Sequence, residues 1–430
     1  MHRIISILAV LGWIVCSAQG QTSSQTADPG DQQATIRALV QEVNELKARL
    51  AALEAKQNQQ AQPQATEPVA QVDQQPAPST RQRDGGEPES FGVVRGIKLQ
   101  GFGTATFKAS DANPPEQGAT LGFRPGSAGN FAIGDVDLFL TSQLSSRVSI
   151  LSEVEFSEQN SSEFETDVER LLLKFDPSDY LKMSIGRFHT ATSYYNSVFH
   201  HGLWLQTAAD RPLVVEFSDH GGLLPSQAIG ASFTGRIPSG SLGLNYVAEY
   251  GSAATIRPQI TSPDADEIEE HNGNETTVGL FVKPDWLPGL NVGGSFYHDR
   301  LNPEGSNLHI GQSVASAHAV YTNPRFEFLN EAFLIRHKVQ ETGQTFNTPA
   351  FYSLISQQFA GKWRPYFRYQ YVNASPVSPL FADVSLRHGP SAGLRYDFND
   401  YVAMKAQYDR VVRRGQPSFN DVLAQMAFRF

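Results

Sequence analysis

Histidines at 189, 200, 201 and 220 fall within or beside one stretch, residues 189–219. Clustered imidazoles are a common way to hold a transition metal. Nothing in this spacing fixes a ligand geometry, so hydrogen-bonded polar histidines are the expected state, with no metal and no cofactor. Ser and Asp also occur there, but no carboxylate pair or nucleophile motif accompanies them, so catalysis is not expected. The run Asp264-Ala265-Asp266-Glu267-Ile268-Glu269-Glu270 invites a Ca²⁺ reading. It lacks the glycine and terminal glutamate of an EF-hand loop and reads as a solvated loop.

The chemistry that remains is electrostatic, and it is carried by alternation. In Trp363 to Tyr371, Trp363, Phe367, Tyr369 and Tyr371 oppose Arg364, Arg368 and Gln370. From Val422 to Phe430 the even positions are apolar, whereas the odd ones include Gln425 and Arg429. A period of two is the signature of a strand with one greasy and one polar face. Taken over all such runs, the polar stripe carries Lys98, Arg364, Arg368, Arg395, Lys405 and Arg429 on the first and last strands. Those strands become neighbours if the sheet closes, which makes a basic wall. Asp135, Asp137, Glu153 and Glu155 fall on the second and third strands, and Glu327 and Glu331 on the eleventh. Arg170, Lys174 and Lys182 sit between these groups. If the polar stripe faces a lumen, opposed walls set a field that orients dipolar solutes and favours anions along the basic side. If the charges pair, they only hold the lumen open.

The 430 residues hold 34 Lys+Arg against 44 Asp+Glu, a net charge of −10, which argues against a nucleic-acid partner. No apolar run after residue 20 approaches the ~18 residues of a spanning helix. Glycine (35), phenylalanine (27) and tyrosine (14) are plentiful, as in chains of many short strands. Residues 1–20 have a basic start, about twelve apolar residues and a small-residue close, the layout of a secretory signal peptide. The single cysteine, Cys16, lies inside it, so the exported chain does without disulfides. Residues 33–57 place Ile36, Leu39, Val43, Leu46, Leu50 and Leu53 at alternating spacings of three and four, the a/d seam of about three heptads. This predicts an intermolecular coiled coil, marginal alone. Residues 58–90 are rich in Gln, Pro, Ala and Ser and read as a flexible linker.

The body, 91–430, yields roughly sixteen candidate strands, with short turns alternating with longer, more polar connections such as 108–130, 157–166, 189–219, 338–345 and 412–417. That rhythm, an even strand count, aromatics near strand ends and the terminal Phe430 predict an all-β transmembrane antiparallel barrel. A soluble sandwich also alternates, with its greasy stripe inside; sequence leaves the direction of the two faces open.

On the terminal Phe430, the stretch Ile185-Gly186-Arg187-Phe188-His189 and the heptad segment, the chain resembles Gram-negative outer-membrane porins. It is similar among them to phosphate-selective and other substrate-specific porins with an N-terminal coiled coil. The resemblance implies a homotrimer of water-filled pores in the outer membrane, in contact with lipid and lipopolysaccharide. It implies that Phe430 serves as the membrane-insertion signal. It also implies a periplasmic N-terminal region that can reach peptidoglycan, and passive diffusion of small hydrophilic solutes, anions such as phosphate or carboxylates among them. The connection 189–219 then becomes the inward-folding constriction loop, with His189, Tyr194, Tyr195, His200, His201, Trp204, Asp210 and Arg211 as its notable residues. Its apolar content suits packing inside a barrel. The competing reading is a tether with a plugged barrel.

Overall fold

The computed structural model describes residues 93–94, 97–112, 129–160, 163–199, 203–216, 222–253, 256, 261–263, 275–303 and 305–430. The signal peptide, the coiled-coil positions, the linker, His200, His201 and the acidic run 264–270 lie outside the described residues.

Period-two sequence becomes strand throughout. The barrel strands are β1 (Ile97–Ser110), β2 (Asn130–Gln143), β3 (Val148–Asn160), β4 (Glu163–Ser178), β5 (Leu181–His189), β6 (Gln227–Arg236), β7 (Leu244–Ala253) and β8 (Glu275–Val282). They continue as β9 (Leu290–Pro303), β10 (Ile310–Thr322), β11 (Phe326–Val339), β12 (Thr345–Gln357), β13 (Trp363–Asn373), β14 (Leu386–Asp397), β15 (Val402–Arg413) and β16 (Gln416–Arg429). Each pairs antiparallel with the next, and β16 pairs with β1, so no edge is left among the sixteen. Closure satisfies every ladder internally, which is what hydrocarbon demands of a sheet. Two short segments, Val93–Val94 and Thr261–Pro263, add pairings to β1 and β9.

The greasy stripe faces outward. On β16, Val422 and Met426 are each 49% exposed, whereas Gln425 is buried. On β13, Trp363 and Phe367 are exposed and Arg364 and Arg368 are buried. Phe131, Tyr180, Trp286, Trp363 and Tyr401 stand exposed near strand ends, the place of an interfacial aromatic girdle. The barrel seam is closed by the C-terminus. Phe430 exchanges backbone hydrogen bonds with Gly101 at 2.9 and 3.0 Å. Its ring lies where a Gly101 side chain would be, and Phe428 does the same over Gly103. Aromatic rings laid across glycines restore packing that glycine cannot supply.

Connections at one end are short turns. At the other end the sequence reading needs correcting. The connections at 157–166, 338–345 and 412–417 shrink to 161–162, 340–344 and 414–415, because the strands run on beyond the greasy belt. A ladder needs only backbone partners there, so polar residues such as Ser157 and Glu158 still pair. The sixth strand starts at Gln227 and not near 220. Leu223 and Leu224 look like strand residues but are packed inside, and Pro225 cannot donate to a ladder.

Candidate channel constriction

The connection after β5 is residues 190–226, and its described parts, 190–199, 203–216 and 222–226, lie inside the barrel. Its two ends are tied together: Thr190 N–H donates to Ser226 O at 3.0 Å, and Asn196 Nδ2 donates to both Thr190 O (2.9 Å) and Ser226 O (2.8 Å). A short helix, α1 (Tyr194–Phe199), follows, with Ser193 Oγ accepting from Asn196 N–H at 2.8 Å as its cap. The first helical amides would be orphans inside the barrel. Glu331 of β11 supplies the acceptor, taking Tyr194 N–H at 2.6 Å, Tyr195 N–H at 2.9 Å and the Tyr352 hydroxyl at 2.5 Å. Glu327, four residues away on the same face, accepts from Thr207 Oγ1 at 2.6 Å.

The far limb of the loop crosses to the strands of the basic wall. Lys405 Nζ donates to Leu203 O (2.5 Å) and Ala208 O (3.0 Å). Arg395 donates to Trp204 O and Gln206 O, each at 2.7 Å. Arg368 takes Asp210 through both its carbonyl (2.9 Å) and its Oδ1 (2.7 Å). Gln407 Oε1 accepts from Ala209 N–H at 3.0 Å, and Gln425 Nε2 donates to Ala209 O at 2.9 Å. A stretch without secondary structure thus has its carbonyls paired by cations. Trp204 packs with Phe102 and Phe139, and the Arg395 and Arg429 guanidiniums lie 5.0 and 5.8 Å from its ring centroid. Arg211 stays within the loop, donating to Val215 O and Phe199 O.

The residues expected from sequence therefore fall into three groups. Arg368, Arg395 and Lys405 meet Trp204 and Asp210, so two separately expected sets form one interface. Their heads are engaged by the loop and do not face open water. Glu327 and Glu331 anchor the loop on the opposite side. Arg429 donates to Asp400 O and lies over the Trp204 ring at the edge of the clamp, Arg364 donates to Pro324 O and to Ser356 Oγ, and Lys98 lies exposed at the short-turn end, apart from the loop. Asp135, Asp137, Glu153 and Glu155 are buried on the inner face of β2 and β3. Glu153 pairs with Arg170 and lies 3.8 Å from His189. Gln370 and Gln425 carry no site role in the sequence reading beyond their place on the polar stripe, and Gln407, Tyr366 and Asn196 do not figure in it. The first four lie on the polar stripe, where alternation marks them, but being uncharged they gave no stronger signal.

On the other side of α1 the interior opens into a cavity of about 820 Å³ at the short-turn end. It is lined by Tyr194 and Ser197 of the loop and by Lys283, Asn291, Ser295 and His318 of the β8–β10 side, with the Tyr194 and His318 ring centroids 5.4 Å apart. Further along β9 and β10 the wall turns apolar: Leu301, Ile310 and Val314 cluster with Leu223, Leu224 and Ile256, all 3% exposed or less.

The architecture is that of a porin barrel. The anion-selective porin of Comamonas acidovorans superposes with a TM-score of 0.55 at 12% identity, covering 78% of this chain and 99% of that one. The outer-membrane channel DcaP of Acinetobacter baumannii gives 0.55 at 8% identity, covering 79% and 99%. OmpF of Salmonella typhi, solved in complex with daunomycin, gives 0.50 at 13%, covering 78% and 97%. No protein-family model and no curated protein matches this sequence. At these identities the likeness defines the fold, the closed sixteen-strand barrel of outer-membrane porins.

Proposed function

We propose that the protein is an outer-membrane porin, a passive channel for small hydrophilic solutes whose width is set by loop 190–226. The observation that carries this is the direction of the two stripes, clearest on β13 and β16: greasy residues outward, charged and amide side chains inward, with a long loop folded across the interior. A signal peptide, an N-terminal coiled coil on the periplasmic side with a reach toward peptidoglycan, and a homotrimer fit the same reading. Phe430, at the closing seam, suits a role as insertion signal.

The anion preference expected of the basic wall does not follow from this geometry. Arg368, Arg395 and Lys405 hold loop carbonyls and Asp210, so their field is largely compensated where solutes would pass. Selectivity falls to the groups around the cavity, with Lys283 set against Asp285. We therefore assign the channel weak charge selectivity.

Close interior packing favours one second reading, the tether with a plugged barrel. Liposome swelling separates the two. Vesicles carrying the full-length protein should swell in isotonic pentose and stay intact in a large oligosaccharide. Swelling no faster than protein-free vesicles would leave the plugged tether as the reading.

A further inference from the structure

The cavity between α1 and strands β8–β10 carries a row of rings that holding water open does not require. Strand register sets Phe281, Gly293 and His318 in one row across the wall, and Gly279, Ser295 and Ser316 in the next. Gly293 has no side chain, and none could be added: a Cβ there would come within 2.4 Å of the Phe281 Cβ. The rings on either side close over the glycine, with centroids 6.5 Å apart. Tyr194 extends the row from the loop, its centroid 5.4 Å from that of His318. Three half-buried rings thus make one stepped platform in the cavity wall. Glu331 holds the Tyr194 amide at 2.6 Å, so the platform is positioned before any solute arrives.

The borders of the platform are hydroxyls and amides. The neighbouring row is a shelf of short residues, on which Ser295 Oγ lies 2.7 Å from Ser316 Oγ. Asn291 Oδ1 lies 3.0 Å from His318 Nε2, which orients the ring and leaves the Asn291 amide nitrogen to donate elsewhere. Lys283 and Asp285 line the same cavity beside the short turn after β8 and offset each other in charge.

We propose that this platform binds a neutral pyranose sugar, with a C–H face of its ring on Tyr194, His318 and Phe281 and its hydroxyls on Asn291, Ser295 and Ser316. A saturated sugar ring has apolar faces and a hydroxyl rim, and the site offers a complement to each in that order. The rings meet at 51° and 37°, which leaves no parallel slot for a flat aromatic solute. The offset charges give an anion little net attraction. A volume of about 820 Å³ falls within the range of small-molecule sites. The site rests on the porin reading above, which gives a solute its route to the cavity.

Saturation-transfer NMR of the detergent-solubilised full-length protein, with methyl β-D-glucopyranoside, mannitol and benzoate as separate probes, tests it. The glucoside should saturate at millimolar concentrations, with transfer strongest to its ring C–H protons. Mannitol, acyclic and without a ring face, should bind about fivefold more weakly or worse. Tyr194→Ala and Phe281→Ala should each weaken the glucoside about fivefold. Ser316→Leu, which fills the shelf and keeps every ring, should do the same, with folding checked by heat-modifiable migration. Equal binding of glucoside and mannitol, tighter binding of benzoate, or wild-type binding by all three variants overturns the site. The NMR signal needs no flux, so the two readings fail separately. A protein that swells vesicles without preferring the glucoside rejects the site and leaves the porin reading standing. One that binds the glucoside and swells no vesicles rejects the porin reading alone.

Discussion

Arg368→Met combined with Lys405→Met is expected to release segment 203–210 from the barrel wall and widen the permeation limit. Lys405 donates to Leu203 O and Ala208 O, and Arg368 takes both the carbonyl and the carboxylate of Asp210. Removing one partner of a buried ion pair costs about 3–5 kcal/mol. A change of that size multiplies the detached population more than about a hundredfold. Liposome swelling should then extend to a trisaccharide that wild type excludes, while thermal stability of the sixteen-strand ladder changes little. Size exclusion identical to wild type would mean that the loop is held by its apolar packing and the cations are incidental.

Glu331→Ala is expected to have the next largest effect, at the opposite end of the loop. One carboxylate accepts two amides of α1 and the Tyr352 hydroxyl. Each hydrogen bond to a charged group contributes about 1.5–3 kcal/mol, and the two amides would be left in the interior without an acceptor. Helix α1 should unwind, seen as fast amide exchange at Tyr194 and Tyr195, and limited proteolysis should cut the loop. Glu331→Gln keeps one acceptor oxygen and should fall between. If Glu331→Ala protects those amides as well as wild type does, the acid is not the anchor.

Alternation made both the barrel and its strands legible before any coordinates. Val422 and Met426 against Gln425, or Phe367 against Arg368, needed only counting by two. The direction of those faces was not legible, because a soluble sandwich writes the same pattern with the opposite sense. The inner site was half legible. Arg368, Arg395 and Lys405 announced themselves by charge on the polar stripe, and the apolar loop by its length. That the two meet could not be read, since apart from the Asp210 carboxylate their partners are backbone carbonyls about 160 to 200 positions away, and a carbonyl has no residue type. Glu327 and Glu331 looked like water-facing acids because the donors they take, two backbone amides and the Thr207 and Tyr352 hydroxyls, lie far off in sequence or have no residue type. That the connection runs to 226, past the 219 read from sequence, was not legible, because burial of Leu223 and Leu224 in a loop core and burial in a sheet leave the same letters.

The central claim is that the inward polar stripe and the clamped loop leave a wet path through the barrel. Planar-bilayer recording of the purified full-length protein tests it most directly. Discrete, ohmic current steps are predicted, with a reversal potential close to zero in a tenfold KCl gradient and larger steps for Arg368→Met with Lys405→Met. A protein that inserts and gives no steps, in wild type and clamp variant alike, would contradict the account.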